Sequence, residues 1–338
     1  MHTRKWLILA AVVLVAGVAV TAALARSSGT TAGKTYYFIP KDTLNPYEVI
    51  ADTGGKRALT ELGDTQVVSS GTEDTAAAQQ PAIQAAIQAH AAGIVIAGND
   101  PQAVCPALQQ AQAQGTKVIA FDSDVNCRSL FVNQADTATI GRSQIQLLGK
   151  LMNYTGQFAI LSAASTATNQ NAWIKYMKLE LKKSKYKNMK LVKIYYGNDN
   201  PAQSRQATVS MLQAYPKLKG IESPTTVGIS SAAQYLSHSK YKGKIVLTGL
   251  GLPSQMKTYV HNGTVKEFQL WNPDDLGYLA GYAISALAEG KITGKVGETF
   301  EAGKLGHYVI IRGPDGKPQV VLGPPFTFTK SNVDKFKF

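Results

Sequence analysis

The side chains best suited to do chemistry in this chain are neutral hydrogen-bonding groups that directly follow an apolar run. The stretch LSAASTATNQNAW, residues 161–173, contains Ser, Thr, Asn and Gln, including Asn169 and Gln170, but no charged residue. Amides and hydroxyls donate and accept hydrogen bonds, whereas general acid–base catalysis draws on His, carboxylates, Lys, Tyr or Cys. The stretch therefore favours reversible binding of a hydroxylated ligand over catalysis.

Further polar and aromatic residues follow other apolar runs that have the length of β-strands. Ligands of open parallel sheets bind beyond the carboxyl ends of the strands, so these residues form the predicted site. The set suits a small neutral polyol, whose C–H faces need an aromatic wall. Tyr47 and Trp271 are the predicted walls; Trp173 either faces the ligand or packs against its own domain, and packing is favoured. The candidate ligand-binding residues are Lys41, Tyr47, Asp122, Asn169, Gln170, Pro224, Thr226, Leu250, Trp271 and Asn272.

Common catalytic motifs are absent from the sequence. None of the five histidines falls at a predicted strand end beside a nucleophile, and G-x-S-x-G, H-E-x-x-H and G-x-x-x-x-G-K-[ST] do not occur. Asp122 and Asp124 could hold a metal or act as an acid–base pair. The favoured alternative is that one faces the ligand while the other bonds the loop. We therefore expect no enzyme, no cofactor and no metal.

The elements that must position these residues alternate regularly. From residue 34, strand-type and helix-type apolar patterns follow one another as far as KVIAF at 117–121, and a second series starts at QFAILS, residues 157–162. Such spacing indicates βαβ units and parallel sheets. The sequence predicts an α/β fold with two successive doubly wound sheets.

The first 33 residues precede the predicted fold. Arg4 and Lys5 are followed by an apolar run over residues 6–25 and a Ser/Gly/Thr linker. This pattern predicts either a cleaved signal peptide, with Ala23-Leu24-Ala25 as the cleavage motif, or an uncleaved membrane anchor. Both place the rest of the chain outside the cytoplasm, in the periplasm or on the outer face of the membrane.

Cys105 and Cys127 are the only cysteines. In an exported protein a lone pair predicts one disulfide, with two buried free thiols as the alternative. Their spacing matches no zinc motif, so the pair is expected to be structural.

A net charge of +13 raises the possibility of an anionic partner. No aromatic-and-basic RNA signature accompanies the lysines, so no nucleic acid partner is expected. A solvated helix face beside an anionic membrane or wall is favoured. The crowded lysines are Lys178, Lys182, Lys183, Lys185, Lys187 and Lys190.

Several stretches resemble the solute-binding proteins of ABC-type sugar uptake, in particular the rhamnose-binding branch and the related autoinducer-2-binding proteins. The resemblance covers nearly the whole chain after the N-terminal segment. It implies a type I periplasmic binding protein: two lobes joined by three hinge strands, closing over one sugar-sized ligand, monomeric, with a membrane permease as partner. The matching stretches include FIPK, DPQAVCPALQQAQAQGTKVIAFDSD, FAILSAASTATNQNAWI, SPTTVG, VLTGLGLPS and LWNPDDLGY.

The resemblance also assigns roles at the predicted site. It implies ligand hydrogen bonds from Lys41, Asp122 and the 169–170 pair, with Pro224 and Thr226 lining the second lobe. The autoinducer-2 group has Asp-Gln where this chain has Asn-Gln, and Ala at position 226, so this chain looks more like the rhamnose branch. Ribose-type relatives carry Asp near Leu250. The expected ligand is a rhamnose-type sugar; an autoinducer-2 receptor and an extracytoplasmic carbohydrate-active enzyme remain alternatives.

The expected lobes follow from the same resemblance. Residues 34–134 and 270–297 are assigned to the N-terminal lobe, and residues 135–269 and 298–338 to the C-terminal lobe. The chain is expected to cross between them near 131–136, near 269–273 and around 296–308.

Overall fold

The computed structural model describes residues 33–338, which form one compact unit containing two large sheets, two small two-stranded sheets and their helices. The first half supplies β1 (Thr35–Ile39), α1 (Pro46–Glu61), β2 (Thr65–Val68), α2 (Ala76–Gln88), β3 (Gly93–Ile96), α3 (Cys105–Ala113), β4 (Lys117–Phe121) and β5 (Leu130–Asn133). The middle supplies α4 (Thr137–Leu151), β6 (Thr155–Ser162), α5 (Thr168–Glu180), β7 (Asn188–Tyr196), α6 (Pro201–Ala214), β8 (Leu218–Ser223), α7 (Thr226–Ser237), β9 (Val246–Gly249), α8 (Pro253–His261) and β10 (Phe268–Leu270). The last part supplies α9 (Pro273–Ala288), β11 (Thr299–Glu301), β12 (His307–Val309), β13 (Ile311–Arg312), β14 (Pro318–Val321) and β15 (Phe326–Phe328).

The first sheet has the strand order β13-β14-β5-β4-β3-β1-β2, and all of its pairs are parallel except β13 with β14. Helices α1 and α9 pack together on one face, and α2 and α3 lie on the other. Strands β3 and β5 are buried along their whole length, as expected of strands covered on both sides. We call this sheet and these helices the first lobe.

The second sheet has the parallel order β7-β6-β8-β9. A parallel bridge between Leu250 and Gln269 continues it to β10, which pairs antiparallel with β15. Helices α4 and α5 pack together on one side, and α6 and α7 pack together on the other. This second lobe leaves β7 as an edge strand, and the two lobes together confirm the predicted pair of doubly wound sheets.

Helix α1 is held unusually close to α9. A Cβ atom at Gly54 would lie 1.8 Å from the carbonyl oxygen of Asp274, and one at Gly277 would lie 1.7 Å from that of Ala51. Only glycine permits this approach of two backbones. Since α9 begins at Pro273, shortly after β10, the contact holds the middle of α1 against the first turns of α9.

The chain crosses between the lobes three times, and the third crossing differs from the expectation. It leaves the first sheet between β5 and α4, returns between β10 and α9, and leaves again between β14 and β15. The third crossing therefore lies at residues 322–325 and not around 296–308. Assigning all of 298–338 to the C-terminal lobe is wrong for β13 and β14, because β14 pairs with β5 in the first sheet.

Cys105 and Cys127 form a disulfide, with their Cα atoms 5.6 Å apart. The bond joins the start of α3 to the loop between β4 and β5. No helix within residues 33–338 is long and apolar enough to cross a membrane. The proposed signal peptide or anchor lies outside the described residues.

The disulfide provides a first prediction. Thiol titration of the denatured, unreduced protein is expected to find no free thiol. Reduction is expected to lower the free energy of unfolding by about 3 kcal/mol, because the bond restricts the unfolded chain. A Cys105→Ser/Cys127→Ser variant should match the reduced protein, and two titratable thiols in the unreduced wild type would refute the bond.

Candidate ligand-binding site

A small cavity lies between the lobes, at the carboxyl ends of both sheets. Nine of the ten candidate residues line it: Lys41, Tyr47, Asp122, Asn169, Gln170, Pro224, Thr226, Leu250 and Trp271. Asn272 does not line it. Its side chain caps α9 instead, accepting a hydrogen bond from the backbone N–H of Asp274 and donating one to Asp275. Asn272 thus positions the helix that follows the second crossing, and its contact with the ligand stays a prediction.

Asp122 is the centre of the hydrogen-bond network. Its Oδ1 accepts from the Tyr47 hydroxyl at 2.9 Å, and its Oδ2 accepts from Asn169 Nδ2 at 3.0 Å. The residue has a φ of 56°, in the left-handed region that Asp tolerates better than most residues. This turn directly after β4 aims the carboxylate between the lobes.

Asp124 has a different role from Asp122. Its carboxylate accepts from Arg128 Nε at 2.8 Å, from Arg128 Nη2 at 2.9 Å and from the backbone N–H of Val125 at 2.8 Å. The two aspartates therefore divide their duties between the cavity and the loop, as the favoured interpretation predicts. Within residues 33–338, no group of three or more His, Cys, Asp or Glu side chains is arranged to hold a metal ion.

Lys41 carries the positive charge of the site. Its Nζ lies 3.7 Å from Asp122 Oδ2 and donates to Asn169 Oδ1 at 3.4 Å. Burial lowers the pKa of Lys41, but the carboxylates of Asp122 and Asp74 outweigh it and raise the pKa above its ordinary value. The ammonium group therefore stays charged, and it balances Asp122 inside the protein.

The bonds of Asn169 join the two lobes. Asn169 lies in the first turn of α5, whereas Lys41 and Asp122 follow strands of the first sheet. A further bond across the cleft runs from the Thr166 hydroxyl to the carbonyl of Asn99 at 3.0 Å. These contacts link the two lobes across the cleft.

The side-chain amide of Gln170 bonds within the second lobe, unlike that of Asn169. Its Oε1 accepts from the Ser162 hydroxyl at 2.6 Å and from the backbone N–H of Ala163 at 2.7 Å. These bonds orient the amide, and they leave Nε2 as the group available to a ligand. Gln170 is therefore placed to donate a hydrogen bond to a ligand through Nε2. Its Oε1 already accepts two bonds, so we no longer expect it to accept one from the ligand.

Three aromatic rings form one wall. Trp271 Nε1 donates to the Tyr47 hydroxyl at 2.7 Å, and the two rings meet edge to face at 6.3 Å. The Trp173 ring lies 5.8 Å from that of Trp271 and also lines the cavity. Trp173 is buried in the hydrophobic core, as the favoured prediction has it, and it lines the cavity as well. Its spacing from Asn169, four residues along α5, puts both on one helical face.

Four lining residues escaped the sequence analysis: Asn45, Glu48, Asp199 and Leu270. Glu48 is the most consequential, because its buried carboxyl forms no hydrogen bond within the described part of the chain. Burial, reinforced by the Asp122 charge, raises the pKa of Glu48 well above its usual range. The shift favours the neutral carboxyl group of Glu48, which can donate a hydrogen bond. The only signal was its place beside Tyr47 in the first turn of α1.

The cavity and its entrance differ greatly in size and charge. The enclosed space is about 30 Å³, enough for a water molecule but not a sugar. Outside it lies an interlobe space of about 1050 Å³ that we call the cleft mouth. Five carboxylates and no Lys, Arg or His line the mouth: Asp42, Glu73, Asp74, Asp100 and Asp199. The surroundings of the entrance are thus acidic although the chain is basic.

Closure of the cleft is expected to depend on pH through Asp199. Burial, then the carboxylate of Asp74 across the cleft, raises the pKa of Asp199 from 3.8 to about 7, although Lys41 and the Thr225 hydroxyl act in the opposite direction. Opening would return Asp199 to water and its ordinary pKa. Closure of the cleft is therefore coupled to protonation of Asp199. This protonation favours the closed state at low pH, and that advantage is lost as the pH rises through about 7.

The measurement is small-angle scattering of the ligand-free protein as the pH is raised from the ordinary pKa of Asp199, 3.8, to above its shifted pKa of about 7. The mean dimensions should increase as the pH rises, and Asp199→Asn should reduce the change because the variant cannot ionise there. Dimensions that are independent of pH in the wild type would contradict the prediction.

Comparisons with known proteins agree with this geometry. Residues 36–292 match the model described as periplasmic binding protein domain. A solute-binding protein of an ABC transporter from Clostridium phytofermentas, solved with bound L-rhamnose, is 39% identical with a TM-score of 0.88, covering 90% of this chain and 98% of its own. A sugar ABC transporter protein from Actinomyces odontolyticus is 46% identical with a TM-score of 0.71, and the match covers 90% of this chain and 98% of that protein. A protein from Clostridium saccharobutylicum in complex with AI-2 is 25% identical with a TM-score of 0.83, over 90% and 100%.

Proposed function

Since the chain belongs to the periplasmic binding protein family and is a solute-binding protein of the sugar ABC transporter type, we propose that it binds a 6-deoxyhexose of the rhamnose type between its lobes. The single observation that carries the ligand proposal is the neutral amide of Asn169, which bridges Asp122 and Lys41 across the cleft. A carboxylate at this position would add a second negative charge beside Asp122. The amide instead leaves a site with one paired charge and several neutral donors.

The lining matches the two faces of such a sugar. Asp122 can accept from two vicinal hydroxyls, while Lys41 and Gln170 Nε2 can donate to others. Leu250 is buried and, together with Leu270, offers an apolar corner for a C6 methyl group. The rings of Trp173 and Trp271 provide a wall for the sugar's C–H bonds.

Binding of autoinducer-2 is the second candidate. It is favoured by the shared Lys41, Asp122 and Gln170, and by similarity to the AI-2 complex. It is disfavoured by Asn169 and Thr226, which depart from the autoinducer-2 pattern. A carbohydrate-active enzyme is disfavoured further, because Tyr47, Asn169 and Lys41 already engage the carboxylate of Asp122.

The transport context completes the proposal. The protein acts outside the cytoplasm as a monomer and delivers its sugar to the permease subunits of an ABC importer. Family membership and the sequence pattern of the first 33 residues support this assignment. The N-terminal segment directs export either as a cleaved signal or as an anchor.

Calorimetry with L-rhamnose, D-ribose and autoinducer-2 tests the ligand. We expect saturable binding of one L-rhamnose per chain and no heat from D-ribose at the same concentration. Asn169→Asp should weaken rhamnose binding and favour autoinducer-2, because it restores the carboxylate of that group. Binding of autoinducer-2 with no response to rhamnose would overturn the ligand proposal and leave the transport role intact.

A further inference from the structure

The second lobe carries a groove that the sugar site does not use. It runs between the outward side of α5 and the edge strand β7, and its volume is about 460 Å³. We call it the basic groove. Its lining residues are Asn171, Ile174, Lys175, Lys178, Leu179, Lys182, Ile194 and Tyr196.

The charge along the groove has one sign. Lys175 and Lys178 are spaced three residues apart on one face of α5, and Lys182 follows directly after the C-cap of the helix. All three are exposed and line the groove. Strand β7 adds exposed Lys190 and Lys193. Within residues 33–338, none of these five lysines forms an ion pair with a carboxylate at 4.0 Å or less.

The one acidic residue nearby in the sequence does not offset this charge. Glu180 is buried on the inward side of α5, where it accepts from Lys183 at 2.6 Å and from the Tyr186 hydroxyl at 3.1 Å. These bonds lower the pKa of Glu180, although burial alone would raise it. Its charge is thus already neutralised locally, and the field at the groove remains positive.

Apolar side chains are exposed among these lysines. Leu179 is 40% exposed and Tyr196 is 41% exposed, and both line the groove with the half-buried Ile194. Lysines around exposed Leu and Tyr resemble the polar and apolar parts of a surface that lies in a membrane interface. Lysine attracts anionic headgroups, and the apolar groups reach the acyl boundary.

We propose that the basic groove docks the second lobe on an anionic lipid bilayer. Charge complementarity supports this occupant, because a bilayer of acidic lipids presents many phosphates to unpaired lysines at once. Strand addition by an acidic peptide is disfavoured, since lysines and an irregular register along β7 both hinder pairing at a sheet edge. The proposal does not depend on which sugar the cleft binds.

Flotation with lipid vesicles tests the proposal on residues 33–338, which contain both sheets with their complete cores. This part of the chain avoids insertion of the apolar N-terminal run. We expect binding to vesicles of equal phosphatidylcholine and phosphatidylglycerol, little binding to phosphatidylcholine alone, and release by salt because surface charges are screened. Equal binding to both vesicle types, or to neither, would overturn the proposal.

A charge-matched pair of variants locates the surface. Lys175→Gln/Lys178→Gln/Lys182→Gln, which removes the three lysines that line the groove, should weaken vesicle binding about tenfold or more. The control Lys240→Gln/Lys242→Gln/Lys244→Gln removes three exposed lysines from another part of the same lobe and should leave binding nearly unchanged. Equal losses would show that only net charge matters and would refute a defined groove. Both variants should have the same free energy of unfolding and the same sugar affinity as the wild type.

A third variant separates a bilayer from a soluble polyanion. Leu179→Ser/Tyr196→Ser removes apolar contact but no charge, so it should weaken vesicle binding and leave binding to inorganic polyphosphate unchanged. If this variant binds vesicles as well as the wild type does, the groove recognises polyanions in general and the bilayer proposal is wrong.

Discussion

Replacing Asp122 by Ala is expected to lower sugar affinity at least about thirtyfold, equivalent to a loss of about 2–4 kcal/mol. Both carboxylate oxygens are in use, through Tyr47 and Asn169, and they are the acceptors that ligand hydroxyls would take over. The variant leaves those donors without a partner. It also removes the carboxylate that lies nearest to the buried Lys41 ammonium, which adds to the cost.

Calorimetry provides the measurement, and Asp122→Asn provides the control. Asparagine preserves the size of the side chain and one accepting oxygen but removes the charge, so its affinity should fall between those of the wild type and the Ala variant. Thermal unfolding of each variant separates lost binding from lost folding. Unchanged affinity in the Ala variant would remove Asp122 from the centre of the site.

Replacing Arg128 by Ala is expected to lower the free energy of unfolding by about 2–3 kcal/mol, because it removes a buried guanidinium and its charge-assisted hydrogen bonds to the partly exposed Asp124. The Arg128 side chain is 1% exposed. It donates twice to Asp124, once to Asp315 at 3.3 Å, and to the Pro318 carbonyl at 2.7 Å. One guanidinium thus joins the loop after β4 to the hairpin of β13 and β14.

Urea denaturation measures this effect, and Arg312→Ala is the matched control. Arg312 is an exposed arginine of the same hairpin that donates only to the Gly316 carbonyl. Its removal should change stability little, since exposed polar contacts contribute little. Arg128→Lys should recover only part of the loss, because lysine lacks the planar fork that binds Asp124 twice. Equal stability of both Ala variants would refute the role of Arg128.

The parts of the site that the sequence predicts are those fixed by local pattern. Parallel strands end at one edge of a sheet, so residues that follow them, such as Lys41 and Asp122, are predictable neighbours. Sequence analysis assigns no helix to α4, although Ile140, Leu147 and Leu148 have helical spacing. That signal was present and overlooked.

Other features depend on contacts between distant residues. The sequence of β14 is a short apolar run that does not indicate which sheet it joins. Its pairing with β5 puts it in the first sheet, so the third crossing must follow β14. Glu48 and Asp199 look like surface carboxylates until the lobes close around them. Burial by a distant part of the chain has no local signature, which explains why both were missed.

The acidic cleft mouth acts as an electrostatic filter on what enters. Its five carboxylates repel any solute that carries a phosphate or carboxylate, while a neutral sugar crosses without cost. Capture rates for neutral sugars should therefore be nearly independent of ionic strength, whereas anionic analogues should enter slowly and faster with added salt. An entrance of this charge favours uncharged cargo over phosphorylated sugars.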